Sequence, residues 1–225
     1  MPVNPASDPG ARAIAVLHAD ESLLVLDKPA GLLSVPGRGP DKQDCLSARV
    51  QGRFADAQIV HRLDMATSGL LLMARGAQIQ RSLSQAFARR EVAKRYIAVV
   101  DGRVDVPANS WHDIDLPILA DWERRPLRII DAQGQPSLTR WRLLAHETDA
   151  LGGPCSRLEL EPVTGRTHQL RVHLQALGHP ILGDALYAPP AVQIRSDRLL
   201  LHACTLTFEH PGTGKALNFR SEPSF

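Results

Sequence analysis

One polar segment between two apolar stretches holds side chains that could do acid–base or nucleophilic chemistry. It spans residues 61–68 with the sequence HRLDMATS, so a carboxylate, an imidazole, a guanidinium and two hydroxyls lie within eight residues. Loops that a sheet holds rigidly are common places for reactive side chains. An Asp in a turn more often only hydrogen-bonds the turn backbone. From this segment alone, Asp64 is therefore either a reactive carboxylate or a residue that stabilises the turn.

A second candidate segment spans residues 164–173 with the sequence TGRTHQLRVH. Thr167 is suited to capping a helix over 167–177, and Arg166, placed after a glycine, could grip a carboxylate or phosphate with two hydrogen bonds. The alternative is that Arg166 and Arg171 are solvated or pair with nearby glutamates. The two histidines are five residues apart, which is poor spacing for ligands on one helix face, so a metal site is not expected.

The third candidate segment is cationic. Residues 89–96 have the sequence RREVAKRY, and with Arg81 upstream the stretch holds five cations against one acid. A cationic track that ends at an aromatic ring such as Tyr96 suits a phosphate backbone and an extruded base. Alternatively, the charges form a solvated helix face and Tyr96 is a half-buried strand residue. A second group of arginines, at positions 124, 125 and 128, follows Trp122.

The elements that must position these segments are mostly strands. Alternating or short apolar runs predict strands, and apolar residues at helical spacing predict three helices, the first of them capped by Asp41 or Asp44. The first predicted helix ends near 53, and the other two span 78–90 and 167–177. The predicted strands are 13–17, 23–26, 69–74, 96–100, 129–130, 138–144, 158–160, 199–208 and 216–219. Because strands do not alternate regularly with helices, the pattern predicts an α+β fold around a mixed, mainly antiparallel sheet with a few helices and loops.

Composition excludes several classes of protein. The chain has 225 residues with 44% apolar and 22% charged residues and a formal net charge of +2, which is typical of a globular protein and permits a nucleic-acid partner. Apolar runs are too short to cross a bilayer, no nucleotide-binding glycine motif occurs, and the three cysteines are scattered. We therefore expect a flexible tail over residues 1–12, one catalytic domain over 13–225, and a cytoplasmic location.

Together the three segments resemble the RluA-type family of RNA pseudouridine synthases. The resemblance runs from Ala15 to Phe219, and its most specific part is HRLD at 61–64 continuing to TSGL at 67–70. Four further segments stand in the order that the family has. They are DKPAG at 27–31, KRYIA at 94–98, GRTHQLRVH at 165–173 and LLHA at 200–203.

The resemblance implies a fold, a reaction and a substrate. The fold would be the pseudouridine synthase fold without an appended S4 RNA-binding domain, and the reaction would need no cofactor and no metal. The segments GLLSVPGR at 31–38 and DWERRP at 121–126 resemble members that modify uridines in large-subunit (23S) rRNA and in the anticodon stem-loop of tRNA. The expected partner is therefore RNA, bound by a monomer without membrane contact. A non-catalytic RNA-binding or ribosome-assembly protein and a base-excising glycosidase are the alternatives.

The resemblance also implies roles for individual residues. Asp64 would be the catalytic carboxylate, Arg166 its ion-pair partner and Tyr96 the ring that contacts the target uracil. Arg62 would fill the gap that the flipped base leaves. The remaining RNA contacts are expected from His61, Thr67, Arg89, Arg90, Lys94, Arg95, Arg124, Arg125 and Arg171.

The reaction explains why such groups are needed. It breaks the N1–C1′ bond and joins C5 to C1′ without net oxidation or hydrolysis, so the detached uracil must be held in a pocket that excludes water. The carboxylate of Asp64 either attacks C1′ or removes the 2′ proton to give a glycal, and the sequence leaves both routes open. Because a buried carboxylate tends to protonate, either route needs a nearby cation.

Overall fold

The computed structural model describes residues 14–225, so the predicted tail over residues 1–12 lies outside the described residues. Twelve strands and four α-helices are present in this part of the chain. The strands are β1 (Ala15–Ala19), β2 (Leu23–Lys28), β3 (Ala57–Ile59), β4 (Ser68–Arg75), β5 (Ala93–Asp101), β6 (His112–Asp115), β7 (Ile118–Ala120), β8 (Arg128–Ile130), β9 (Leu138–Thr148), β10 (Pro154–Pro162), β11 (Leu201–Glu209) and β12 (Ala216–Arg220). The helices are α1 (Leu46–Gln51), α2 (Ala77–Ala88), α3 (Gln169–Ala176) and α4 (Pro190–Gln193), with one 3-10 turn at Pro40–Lys42.

Ten strands form one sheet, and β7 with β8 forms a separate hairpin. The main path is β1-β2-β4-β11-β5-β10-β9-β6, with β3 beside β4 and β12 beside β11. The β4–β11 pair is parallel, whereas the other pairs in the sheet are antiparallel. The α+β fold with a mixed, mainly antiparallel sheet is therefore confirmed. No helix among residues 14–225 has both the length and the apolar character needed to cross a membrane.

The strand β4 is buried on both of its faces, and its residues 69–74 carry no polar side chain. Leu71 and Met73 belong to a core cluster that also contains Tyr96. Leu70 and Leu72 belong to a second cluster on the opposite face, which α2 covers. A strand buried on both faces lies rigidly in the middle of the sheet, and its first residue directly follows the polar segment 61–67.

Two predicted helix starts are wrong. The expected caps of α1 were Asp41 or Asp44, but the Cys45 thiol accepts the Ala48 N–H, while Asp44 binds the Arg49 guanidinium. The helix α3 begins at Gln169, two residues after the expected cap at position 167. Its N-cap, His168, has a left-handed backbone conformation with φ of 58°. This turn changes which arginine side chains can point toward Asp64.

The parallel contact between β4 and β11 depends on one glycine. Gly69 has φ of +107°, and a Cβ atom there would overlap the backbone of Ala203 on β11. We predict that Gly69→Ala lowers the free energy of unfolding by about 3 kcal/mol, because backbone strain and a clash with a strand act together. Urea unfolding followed by far-UV circular dichroism measures the change.

Gly39→Ala is the matched control for this substitution. Gly39 also has a positive φ, of +96°, but a Cβ atom there would meet nothing within 4 Å. It should lose only the conformational part, about 1–3 kcal/mol, so the clash makes the loss at Gly69 the larger of the two. Equal losses for the two variants would show that the approach of β11 does not matter.

Candidate active site

The three candidate segments meet at one open cleft of about 640 Å³. One wall is the loop between β3 and β4, the second is the stretch from α2 into β5, and the third is the turn from β10 into α3. The predicted site residues that line the cleft are His61, Arg62, Asp64, Thr67, Arg90, Lys94, Tyr96, Arg166 and Arg171. Segments separated by about 100 residues in the sequence are thus brought together by the sheet.

The backbone on both sides of Asp64 is held by two side chains, one at the end of β2 and one from the segment that follows it. The buried Lys28 ammonium donates to the carbonyl oxygens of residues 29, 32 and 65 at 2.9, 2.8 and 3.1 Å. The Ser34 hydroxyl donates to the Leu63 carbonyl at 2.7 Å and accepts the Leu63 N–H at 3.1 Å. Burial lowers the pKa of Lys28 to about 7, against the opposing effect of the Asp64 charge. The Asp64 side chain therefore projects from a fixed turn.

Arg171 is the arginine that lies beside Asp64. Its Nη1 is 3.5 Å from Asp64 Oδ2, while its Nε and Nη2 donate to the two oxygens of Asp184 at 2.8 and 2.6 Å. The Arg171 side chain is 4% exposed and that of Asp184 is fully buried. Although burial opposes the charge, Asp184 and Asp64 together raise the pKa of Arg171. The guanidinium thus stays charged and joins two carboxylates.

The expectation that Arg166 pairs with Asp64 is wrong. The Arg166 guanidinium donates instead to the Pro136 carbonyl at 3.4 and 3.5 Å. The Gln169 side-chain oxygen accepts the Arg166 N–H at 3.0 Å and the Thr164 hydroxyl at 2.7 Å, which holds the turn closed before α3. Because the helix begins only at Gln169, Arg171 lies in its first turn and faces the loop that contains Asp64.

His168 and Tyr187 lie next to the same carboxylate. His168 Nε2 is 3.9 Å from Asp64 Oδ2, and His168 Nδ1 is 2.6 Å from the Tyr187 hydroxyl oxygen. That oxygen accepts the Arg128 N–H at 3.0 Å. Burial lowers the pKa of His168 and raises the pKa of Tyr187 to about 12. A neutral imidazole that accepts the Tyr187 proton at Nδ1 has its own N–H directed toward Asp64.

Tyr96 lies on β5 in the middle of the sheet and is 9% exposed. Its backbone is paired with Ala203 on β11 and with Leu160 on β10. Burial, and after it the Asp64 charge, raises the pKa of the phenol. Tyr96 therefore contributes a neutral ring and hydroxyl to the wall of the cleft.

His61 lines the cleft, but its ring nitrogen is already used inside the fold. Its Nε2 accepts the Leu72 N–H of β4 at 2.9 Å, and its ring stacks on Phe87 with centroids 4.5 Å apart. Lys94 covers the same Phe87 ring at 5.6 Å. Burial, followed by the charge of Lys94, lowers the pKa of His61 to about 3, so the imidazole is a neutral acceptor at pH 7.

The predicted cationic track is divided between two faces of the sheet. Arg90 and Lys94 line the cleft, and Arg89 forms an exposed pair with Glu91 at 2.7 Å. Arg95 does not line the cleft, because side chains alternate along a strand and Arg95 faces away from Tyr96. There it pairs at 3.3 and 3.7 Å with two glutamates of β10, Glu159 and Glu161, so its contact with RNA stays a prediction.

The other arginine group lies outside the cleft, in the connection between β7 and β8. Arg124 pairs with Asp121, and the Arg125 guanidinium lies 3.5 Å from the centroid of the Trp122 ring. Neither arginine is among the residues that line the cleft. This hairpin approaches the site through Arg128, whose N–H binds the Tyr187 hydroxyl.

Sequence reasoning missed Asp184 and Tyr187. Both lie in the segment ILGDALY at 181–187, where an acid stands inside an otherwise apolar run. A carboxylate in such a run needs a buried cation, so the pattern predicts a buried arginine or lysine beside Asp184. The glycine before it, Gly183, has φ of +72°, and a side chain there would overlap the backbone of Arg198.

Comparisons with known proteins agree on one family. Residues 22–176 match the family model described as RNA pseudouridylate synthase. The chain is 41% identical over 223 residues to the dual-specificity RNA pseudouridine synthase RluA of Escherichia coli O6:H1. The aligned region covers 99% of this chain and 97% of the relative. It is 43% identical over 211 residues to the protein of the same name from Yersinia pestis, over 93% of this chain and 99% of the relative. The chain belongs to the RNA pseudouridylate synthase family.

Solved structures of this family share the fold. Human RNA pseudouridylate synthase domain containing 1 superposes with a TM-score of 0.80 at 31% identity, covering 97% of this chain and 87% of that chain. Human RNA pseudouridylate synthase domain containing 4 gives a TM-score of 0.72 at 26% identity, with 92% and 88% covered. The pseudouridine synthase fold is confirmed, and the chain is an isomerase that acts on RNA. The non-catalytic alternative is not favoured.

Within this synthase, Asp184 positions Arg171 without lining the cleft. We predict that Asp184→Asn lowers the isomerisation rate at saturating RNA about 100-fold, because a misplaced guanidinium no longer orients Asp64. Release of tritium from RNA labelled at uracil C5 measures the rate. Glu147→Gln is the control, since Glu147 also holds an arginine with both oxygens, but outside this cleft. Comparable activity of the two variants at equal folded fraction would contradict the positioning role.

The neutral His61 predicts a dependence of stability on pH. Its pKa is lower in the folded state than in the unfolded chain, so the unfolded chain binds the extra proton between about pH 6.5 and 3, and stability falls as pH falls through that window. From pH 7.5 to 5.5 the loss from this group is about 1 kcal/mol. Urea unfolding of the wild type and of His61→Gln, which keeps an acceptor but does not titrate, should differ by that amount in their pH response. Parallel pH curves would refute the assignment.

Proposed function

We propose that this synthase isomerises specific uridines in 23S rRNA and in the anticodon stem-loop of tRNA. The support is the name of its relatives, which are dual-specificity enzymes about 40% identical over nearly the whole chain. We further propose that it works in the cytoplasm as a monomer with one catalytic domain over residues 13–225.

Asp64 is the catalytic carboxylate in this proposal. It projects from a fixed turn into the cleft, and its Oδ2 lies 3.5 Å from the Arg171 guanidinium. An ionised carboxylate can attack C1′ of the ribose or remove the 2′ proton, and both routes remain open. In either route uracil leaves from N1 and turns. In the first route C5 then displaces the Asp64 carboxylate from C1′, and in the second C5 adds to C1′ of the glycal while the 2′ proton returns to C2′. In both, the C5 proton is then lost and N1 is protonated.

Tyr96 contacts the target uracil through its ring face. Because burial and the Asp64 charge raise the pKa of the phenol, the hydroxyl is a hydrogen-bond donor and not a base at neutral pH. Stacking on an aromatic ring is worth about 1–3 kcal/mol per base. This offsets part of the few kcal/mol that flipping a base out of its stack costs.

The RNA backbone follows the cationic rim of the cleft. Arg62 is exposed beside Asp64, where it would enter the gap that the flipped base leaves. Arg90 and Lys94 stand on one wall and Arg166 on the other, which suits phosphates on both sides of the flipped nucleotide. Such contacts fix register and add affinity without reading sequence. His61 and Thr67 support this rim from within the loop, and Arg89 adds charge at its edge.

The loop geometry around Asp64 is the observation that most directly supports its role as the catalytic carboxylate. One substitution tests this role. Wild-type protein should release tritium from stem-loop RNAs labelled at uracil C5, made from 23S rRNA and from tRNA anticodon arms. Asp64→Asn should release it at least about 100-fold more slowly, yet bind RNA within threefold of wild type, since no phosphate contact is removed. Asp113→Asn, on β6 outside the cleft, is the matched control.

Two outcomes would overturn the proposal. Undiminished turnover by Asp64→Asn would exclude the carboxylate, and free uracil in place of pseudouridine would indicate a base-excising glycosidase. If only one of the two RNA classes releases tritium, the proposed substrate range is restricted to that class.

A further inference from the structure

An exposed tryptophan stands on the hairpin beside the active site. Trp122 leaves 70% of its surface exposed, whereas Trp141 is buried and Trp111 is half-buried. Large aromatic side chains stabilise a fold chiefly by burial, so an exposed indole contributes little to this fold. The indole is therefore available to stack on a ligand.

The loop that contains Trp122 is held in one conformation. The Asp121 N–H donates to the Leu127 carbonyl at 3.1 Å, and the Leu127 N–H donates to the Arg124 carbonyl at 3.0 Å. The Asp121 carboxylate accepts the Arg124 N–H at 3.0 Å and its guanidinium Nε at 2.7 Å. The Arg125 guanidinium covers one face of the Trp122 ring at 3.5 Å. The ring is thus preorganised on one side, and the other side is open to solvent.

A short series of contacts connects this hairpin to the reacting centre. Arg128 begins β8 and binds the Tyr187 hydroxyl, which in turn binds His168 beside Asp64. The chain from Trp122 to Arg128 spans at most about 20 Å even when fully extended, and it folds back on itself here because residues 121 and 127 are paired. Trp122 therefore lies within the reach of a stem-loop whose uridine occupies the cleft.

We propose that Trp122 and Arg125 form a second stacking subsite that takes an unpaired nucleobase of the RNA loop, separate from the flipped uridine. This inference rests on the proposed function, since it assumes a stem-loop substrate. RNA loops are recognised largely through splayed bases that stack on aromatic rings and arginine planes. The open face of the indole accepts the base, and Arg125 holds the ring from behind while placing a positive charge near the phosphates.

Charge favours RNA over a protein partner at this surface. Arg124 already neutralises Asp121, so the hairpin keeps the guanidinium groups of Arg125 and Arg128 against the single acid Glu123. The hairpin also packs against Val172 and Tyr187, close to a cleft whose rim is cationic. A subsite of this kind strengthens binding but does not touch the reacting atoms, so it should affect affinity and leave the chemical step unchanged.

Substitution of the indole tests the subsite. Trp122→Ala should bind a stem-loop RNA about 5- to 150-fold more weakly than wild type, which is the range for loss of one base–aromatic stack. Its single-turnover rate at saturating RNA should stay within threefold of wild type, and Trp122→Phe should recover most of the affinity. Ile194→Ala is the control, because Ile194 is equally exposed but lines a different depression of the surface.

Abasic RNA identifies the base. In a series of stem-loops, one base is removed at each loop position in turn. At one position other than the target uridine, base removal should weaken binding to wild type but should not weaken binding to Trp122→Ala. Unchanged RNA affinity of Trp122→Ala would overturn the inference and would point to a protein partner instead. Because wild-type turnover is measured on the same RNAs, failure of the subsite is distinguishable from failure of the proposed function, in which no RNA yields pseudouridine.

Discussion

Arg171 joins two carboxylates that stand 120 positions apart in the sequence. A guanidinium that is 4% exposed would be costly to bury alone, and Asp184 offsets that cost with two short hydrogen bonds. Because Asp184 takes the strong contact, Asp64 receives only the longer one at 3.5 Å. The result is an Asp64 carboxylate that has a cation beside it but only one long contact to that cation, so the carboxylate remains available to a ribose. Most of the site's other features depend on keeping this arrangement in place.

The sheet and its loops supply that constraint. The loop of Asp64 is bonded to Lys28 and Ser34 through the backbone of residues 63 and 65, so it is fixed to the segment after β2. It continues directly into β4, which is buried on both faces. The helix α3, which contains Arg171, packs on the sheet from the other side of the cleft. Each partner of the ion pair is therefore positioned by a different part of the fold, and neither requires the other to find its place.

The positions of Asp64 and Tyr96 at the cleft could be predicted because the contiguous segments that contain them carry the family resemblance. The residue types alone left two interpretations of each. Arg95 was misplaced because β5 begins at Ala93, three residues earlier than predicted, so the alternation of strand side chains already applies to it. Arg166 was misplaced because the left-handed turn at His168 follows from side-chain contacts around Gln169, which local propensity does not show. Asp184 was missed since its only signal is an acid in an apolar run, whose partner lies on another element.

Three groups around Asp64 are neutral for a common reason, which is burial. Burial raises the pKa of Tyr96 and of Tyr187 and lowers that of His168, so at neutral pH each is an uncharged hydrogen-bonding group. The basic groups beside Asp64 are Arg171, which Asp184 also binds, and the buried Lys28. A flipped nucleotide would therefore meet the Asp64 carboxylate with buried basic groups behind it, and its phosphates would lie outside among the exposed cations of the cleft rim. Separation of this kind lets phosphate binding vary with salt while the field at C1′, set by buried groups, is screened much less.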